Sequence, residues 1–274
     1  MWSKTVQEES MYVRPSAPRS IGGVLDDAIS LYRRSFSSVW PLTLATAVVM
    51  AVPGIFMGLR LARSMPGGPA AIFAMMRAPS YWLTYAVIML AYLVVQGALL
   101  SALDAFAAGR PATLGEALNT GVNLLPRMLA VSILFGIMLM VGLLLLVVPG
   151  IYLWGIYQLA FVALIVERSG ISQAFGDSRR LIKGYWWRSA TVITVAIIIV
   201  IVLSVIAGVI NGVLAAVFGF GSVTAVVSQH IIAAALNVFL FPLLPCFLLA
   251  MYYDLKLRHE GGDLAARVDA LVAQ

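Results

Sequence analysis

The sequence predicts an all-α polytopic membrane protein: six transmembrane helices arranged as three hairpins, each preceded by a cytoplasmic amphipathic helix. Three observations carry that expectation. Of 274 residues, 62% are hydrophobic and only 11% are charged, against roughly 25% charged in a soluble domain. The charges are clustered, with none in the 39 residues between Arg127 and Glu167 or in the 65 between Arg188 and Asp254. A helix rising about 1.5 Å per residue needs about 20 residues to cross a hydrocarbon core of about 30 Å. Each uncharged stretch therefore holds two crossings and reads as a hairpin.

Six apolar stretches follow one another at residues 40–59, 81–103, 128–148, 151–166, 190–216 and 224–253. Their ends carry Trp40, Tyr81 with Trp82, Tyr152, Trp186 with Trp187, and Tyr252 with Tyr253, aromatic residues that suit the membrane–water interface. The fourth stretch is short. Pro242 and Pro245 fall inside the sixth, where each removes a backbone donor, so a kink is expected there. Ser204, Gly208, Gly212 and Ala216 form a small-residue ridge that permits close helix approach, expected to pack within the chain, with a dimer contact as the alternative.

Six crossings place both termini on one side. Fifteen of the 18 Lys and Arg residues and all 12 acidic residues then fall on that side, while Arg60, Arg63 and Arg77 fall on the other. Basic loops stay in the cytoplasm, so both termini are assigned there. A five-span version, which splits the termini, is the alternative. The expected division is a flexible cytoplasmic arm over 1–19, a six-span membrane domain over 20–259 and a cytoplasmic tail over 260–274. The first 39 residues hold no apolar run like that of a signal peptide. The net charge of +6 lies beside apolar spans, where anionic lipid rather than nucleic acid is the nearer partner.

Three polar-apolar segments lead into the hairpins: Leu25-Asp-Asp-Ala28, Leu114-Gly-Glu-Ala117 and Ile171-Ser-Gln-Ala174. In the first, Leu25, Ala28, Ile29, Tyr32 and Phe36 share one helical face, opposite Asp26, Asp27, Ser30, Arg33, Arg34 and Ser37. In the second, Thr113-Leu-Gly-Glu116 has the spacing of a capping box. In the third, Ile171, Ala174, Phe175, Leu181 and Ile182 oppose Gln173, Asp177, Arg180 and Lys183. Later in each unit, Val52-Pro-Gly-Ile55 aligns with Val148-Pro-Gly-Ile151 and more loosely with Ile206-Ala-Gly-Val209. An internal threefold repeat accounts for both sets of matches; chance similarity within a small apolar alphabet is the alternative.

The Leu-Tyr-Arg-Arg run at 31–34, Val148-Pro-Gly-Ile-Tyr152, Lys183-Gly-Tyr-Trp-Trp187, and Tyr252-Tyr-Asp-Leu255 followed by Arg258 carry a family likeness. Over roughly residues 20 to 260 the chain resembles the YciC-type inner-membrane proteins. It is also similar to the membrane domain of some membrane-anchored glycerophosphodiester phosphodiesterases. The resemblance implies a bacterial cytoplasmic-membrane location and a six-span bundle. The soluble phosphodiesterase domain is lacking, so its activity does not carry over.

No zinc helix, P-loop or nucleophile elbow occurs. His230 and His259 are the only histidines and Cys246 the only cysteine, too little for a metal centre. No metal or cofactor is therefore expected, and His259 is assigned to the exposed tail. The spans contain no acid, lysine or arginine, which argues against a proton-driven pump. Their deep polar residues are Gln96, Gln158, Asn211, Gln229, His230 and Asn237; they either line a pathway, with His230 and Asn237 on one face, or hydrogen-bond between helices. Arg33, Arg34, Arg179, Arg180, Lys183 and Arg188 are the candidates for lipid-headgroup contact, and Asp254 is expected to pair with Arg179 or Arg180. The sequence thus points to a non-enzymatic membrane protein that organises lipid or partner proteins, with a transporter or channel for a lipid or small amphiphile as the alternative. Expected partners are membrane lipids, anionic ones included, and a membrane protein or a second copy of the chain.

Overall fold

The computed structural model describes residues 12–64, 68–219 and 222–272. Residues 1–11 of the expected arm lie outside the described residues. Among those described there is no strand, and ten helices follow in order: α1 Ile21–Ser64, α2 Gly68–Arg77, α3 Pro79–Ala107, α4 Leu114–Leu145, α5 Val147–Tyr157, α6 Ala160–Val166, α7 Ile171–Ile182, α8 Trp186–Phe218, α9 Val223–Leu240 and α10 Leu243–Val272. Six segments are long and apolar enough to cross a membrane: α1, α3, α4, α5 with α6, α8, and α9 with α10. The chain is an all-α polytopic membrane protein. Arg14 and Arg19 touch residues 253–258, so the two terminal segments meet at one end of the bundle, as an even number of crossings requires.

The three amphipathic segments differ in form. Only the third is a separate helix, α7; the first two are the leading turns of α1 and α4. Gly184, at a φ of +84°, explains the difference, because it turns the chain between α7 and α8 through the left-handed region open to glycine. Helix α1 instead runs unbroken through Pro41 and Pro53, and α4 through Pro126. The capping box forms as the spacing predicts: Glu116 N donates to Thr113 Oγ1 at 3.3 Å, and Thr113 N donates to Glu116 Oε2 at 2.8 Å. On α1 the buried stripe is Val24, Ala28, Leu31, Ser35, Val39 and Leu42, rotated from the expected face, and Ile29 is exposed. The later matches are not in equivalent places. Val52–Ile55 and Ile206–Val209 lie inside α1 and α8, whereas Val148–Ile151 opens α5 just after a turn.

Two crossings are broken. The sixth breaks at Phe241 and Pro242, between α9 and α10, where the prolines predicted a kink. The fourth breaks at Gln158 and Leu159, between α5 and α6, with no proline there to announce it. A helix end leaves carbonyls without intrahelical donors, and in an apolar medium these need other partners. Neighbouring helices supply them: the Tyr32 hydroxyl donates to the Phe239 carbonyl at 3.0 Å, and the buried Ser178 hydroxyl to the Ile156 carbonyl at 2.7 Å.

Glycines set the closest helix contacts. A Cβ on Gly121 of α4 would lie 2.2 Å from the Val94 carbonyl oxygen of α3, and one on Gly142 would lie 2.9 Å from Gly150 Cα across the single-residue turn at Leu146. Gly54 and Gly58 of α1 receive the His230 ring of α9, where added Cβ atoms would come within 2.6 and 3.2 Å of it. The ridge of Ser204, Gly208, Gly212 and Ala216 is exposed on α8, and space around Gly208 and Gly212 is open; the expectation of internal packing is therefore corrected. The closely packed core lies toward the end where the termini meet, around Leu99, Leu103, Leu159, Leu164, Phe247 and Met251. The middle of α8, from Ile201 to Val205, is exposed on every face.

These contacts separate the glycines. Gly121→Ala should lower stability in detergent by about 1–3 kcal/mol, since backbone must move to admit the methyl group. Gly208→Ala should leave the midpoint of thermal unfolding nearly unchanged.

Candidate functional site

At the end of the bundle where the termini meet, one stretch of α10 gathers the other elements. Residues 252–258 carry two tyrosines, an acid and two bases, and successive side chains on a helix point about 100° apart. They therefore reach different neighbours. The Tyr253 hydroxyl donates to Asp104 Oδ1 at the end of α3 at 2.6 Å, and Arg14 donates to the same oxygen at 3.1 Å while lying 3.7 Å over the Tyr253 ring. The Tyr252 hydroxyl and Lys256 ammonium both donate to Glu167, just past α6. Asp254, only 3% exposed, takes bonds from Arg188 Nε at 3.0 Å, Arg258 Nε at 3.0 Å and the Arg19 backbone N–H at 2.8 Å. Arg188 and Arg258 in turn donate to the Arg19 carbonyl. This clasp joins the second, fourth, fifth and sixth crossings to the N-terminal segment.

The partner of Asp254 is thus Arg188 with Arg258, not Arg179 or Arg180. Arg180 pairs instead with Asp177 at 3.1 Å, three residues away on its own helix, because α7 directs that face outward. Arg188 is largely consumed by the clasp, with its side chain 16% exposed, and is poorly placed to meet lipid. Arg33, Arg34, Arg179, Arg180 and Lys183 are exposed around the same end. His259 is not in a free tail: it lies 3.1 Å from the Leu181 carbonyl and edge-on to Tyr185, because α10 continues past it. A polar groove of about 680 Å³ lies nearby, with Asp104, Arg110, Glu116, Asn119, Asn123 and Arg168 in its wall. Arg168 has a φ of +50°, unusual for a residue with a side chain.

Hydrogen bonds from Lys256 and then from Tyr252 hold the Glu167 carboxyl below the usual carboxylate range, since both favour the ionised form. The clasp left partial traces in the sequence. Asp254 and Arg258 show helical i, i+4 spacing, but the hydrogen bonds of Arg14, Asp104 and Glu167 link residues 85 to 149 apart and carry no local signal.

The intramembrane polar residues separate into two groups. His230 Nδ1 is 2.8 Å from the Val226 carbonyl of its own helix and its ring fills the space left by Gly54 and Gly58. Asn237 and Gln229 are exposed, and Asn211 on α8 is half-buried. His230 and Asn237, though seven residues apart, therefore meet different surroundings. Gln96 and Gln158 come together instead, in the wall of one apolar cavity of about 340 Å³ between α3, α4, α5–α6 and α10. No group of three or more His, Cys, Asp or Glu side chains among the described residues is arranged to hold a metal ion. No family model matches the chain, and no solved structure matches its fold.

Asp254→Ala should cost about 3–5 kcal/mol of stability, because it leaves two arginines at a buried site without their anion. Asp177→Ala, which removes a pair with an exposed arginine, should cost less than about 1 kcal/mol; unfolding in detergent distinguishes them. The depressed Glu167 carboxyl contributes stability above the ordinary glutamate value of about 4.3, and loses it as pH falls through the lower value held in the fold. The thermal midpoint should drop over that acid range in the parent and drop less in Glu167→Gln.

Proposed function

We propose that the protein is a non-enzymatic component of the bacterial cytoplasmic membrane that gathers anionic lipid, and through it partner proteins, around the basic end of its bundle. One observation carries the reading: five acidic side chains at this end are turned to cations of the same chain, and further basic side chains stand exposed around them. Asp27, Asp104, Glu167, Asp177 and Asp254 are each turned to a cation of the same chain. Arg33, Arg34, Arg179 and Lys183 remain exposed on leading turns of α1 and on α7 with its exit turn. Such residues attract an anionic leaflet by about 1 kcal/mol each, and long basic stems lie along apolar surface while their heads reach phosphate. The cytoplasmic assignment of this end rests on its excess of Lys and Arg.

The alternative, a carrier for a lipid or small amphiphile, finds less support at His230 and Asn237, since one is packed between glycines and the other exposed. In reconstituted bilayers, spin-labelled phosphatidylglycerol should be enriched around the parent protein over spin-labelled phosphatidylcholine. Joint replacement of Arg33, Arg34, Arg179 and Lys183 by Gln should bring that preference down several-fold, toward equal association. An unchanged preference would remove the reading.

A further inference from the structure

The cavity that unites Gln96 and Gln158 takes no part in the contacts at the basic end. It lies beside both broken crossings: Gln158 is at the break between α5 and α6, and Pro245 and Leu248, in the first turns of α10 after the other break, form part of its wall. Glu167 is nine residues beyond Gln158 and Asp104 eight beyond Gln96. At about 1.5 Å per residue, both glutamines lie about 12 Å inside the charged end of the bundle, well within a hydrocarbon core of about 30 Å.

The rest of the wall is mainly apolar, including Leu93, Met128, Phe135, Phe161 and Val162; Tyr92 and Ser132 add hydroxyls, that of Ser132 donating to the Met128 carbonyl, and no Asp, Glu, Lys, Arg or His contributes. Gln158 is 9% exposed, yet neither its Oε1 nor its Nε2 has a hydrogen-bond partner, and Gln96 Oε1 is likewise buried without one. A buried amide left this way is costly, so these two glutamines offer one donor and two acceptors to whatever enters. The volume is at the lower end of the range of small-molecule pockets, about 300–1,000 Å³. Met89 in the wall is exposed, which puts the mouth on the lipid-facing surface of the bundle.

We infer that this cavity is an intramembrane binding site for an apolar molecule bearing a neutral group that both donates and accepts hydrogen bonds. A primary amide, an un-ionised carboxyl, or a hydroxyl beside a carbonyl has that chemistry. The ligand's acceptor takes the Gln158 N–H, and its donor meets Gln158 Oε1 or Gln96 Oε1. A charged headgroup is disfavoured because nothing in the wall offsets its desolvation. The site enters from the bilayer and is independent of the lipid-gathering role of the basic end.

The test uses the full chain in phosphatidylethanolamine nanodiscs, with a diazirine-bearing palmitamide as the probe and labelled peptides mapped by mass spectrometry. Labels are expected at the cavity-facing parts of α3, α4 and α6, competed by palmitamide and not by hexadecane. Gln158→Leu with Gln96→Leu should reduce labelling about ten-fold. Ser132→Phe, which fills the cavity and keeps both glutamines, should do the same. In lipid-stripped protein Gln158→Leu should hold or raise the thermal midpoint, because it removes unpaired polar atoms. Labelling that survives the glutamine changes, equal competition by hexadecane, or a lowered midpoint for Gln158→Leu without ligand would each overturn the site. The last outcome would mean that Gln158 is satisfied within the protein or by a resident water.

Discussion

A buried carboxylate fixes the arrangement at the basic end. Asp254 accepts from two arginines and a backbone N–H, and removing a charge like this from water is tolerable only when such partners surround it. The partners come from α8, from α10 itself and from the segment before α1, so the ion can be satisfied only when those elements are correctly docked. The tyrosines just before it extend the same requirement to α3 and to the end of α6. Hydrophobic burial between helices gives little directional information inside a bilayer, where lipid tails are as apolar as leucine. Polar contacts at the end of the bundle supply direction. The well-packed core lies just beneath them, while the middle of α8 is exposed all round.

Much of this architecture was legible because the strongest membrane constraints are local. Uncharged length specified the crossings, Thr113 and Glu116 marked the start of α4, and Pro242 marked the break in the sixth crossing. The break at Gln158 was hidden, since its stabilising hydroxyl comes from Ser178 of α7, 22 residues from the Ile156 carbonyl it meets. The small-residue ridge on α8 had the right spacing for helix contact but no facing surface within the chain. Gly54 and Gly58, with the same spacing, have one in His230. Spacing shows that two helices can approach; it does not say which pair will.

The polar residues inside the spans teach a related lesson. Helical periodicity placed His230 and Asn237 on one face, yet the packing of α1 covers only the first. Gln96 and Gln158 are 62 residues apart in sequence and belong to different hairpins, so no periodic argument could join them. They share a wall because α3 and α4 cross closely at Gly121 and the break between α5 and α6 lies against the same cavity. The clasp arises in the same way from residues distant in sequence.

The turn between α4 and α5 bears on how the chain enters the bilayer during synthesis. It consists of Leu146 alone, flanked by exposed apolar residues from Leu143 to Val148, and Arg127 and Glu167 are the nearest charges on either side. Insertion of this hairpin therefore carries no hydrophilic loop and no ionised group across the hydrocarbon. The two crossings can slide in together as a greasy wedge, tip first. Afterward the turn at the far end presents only apolar side chains, from Leu143 to Val148.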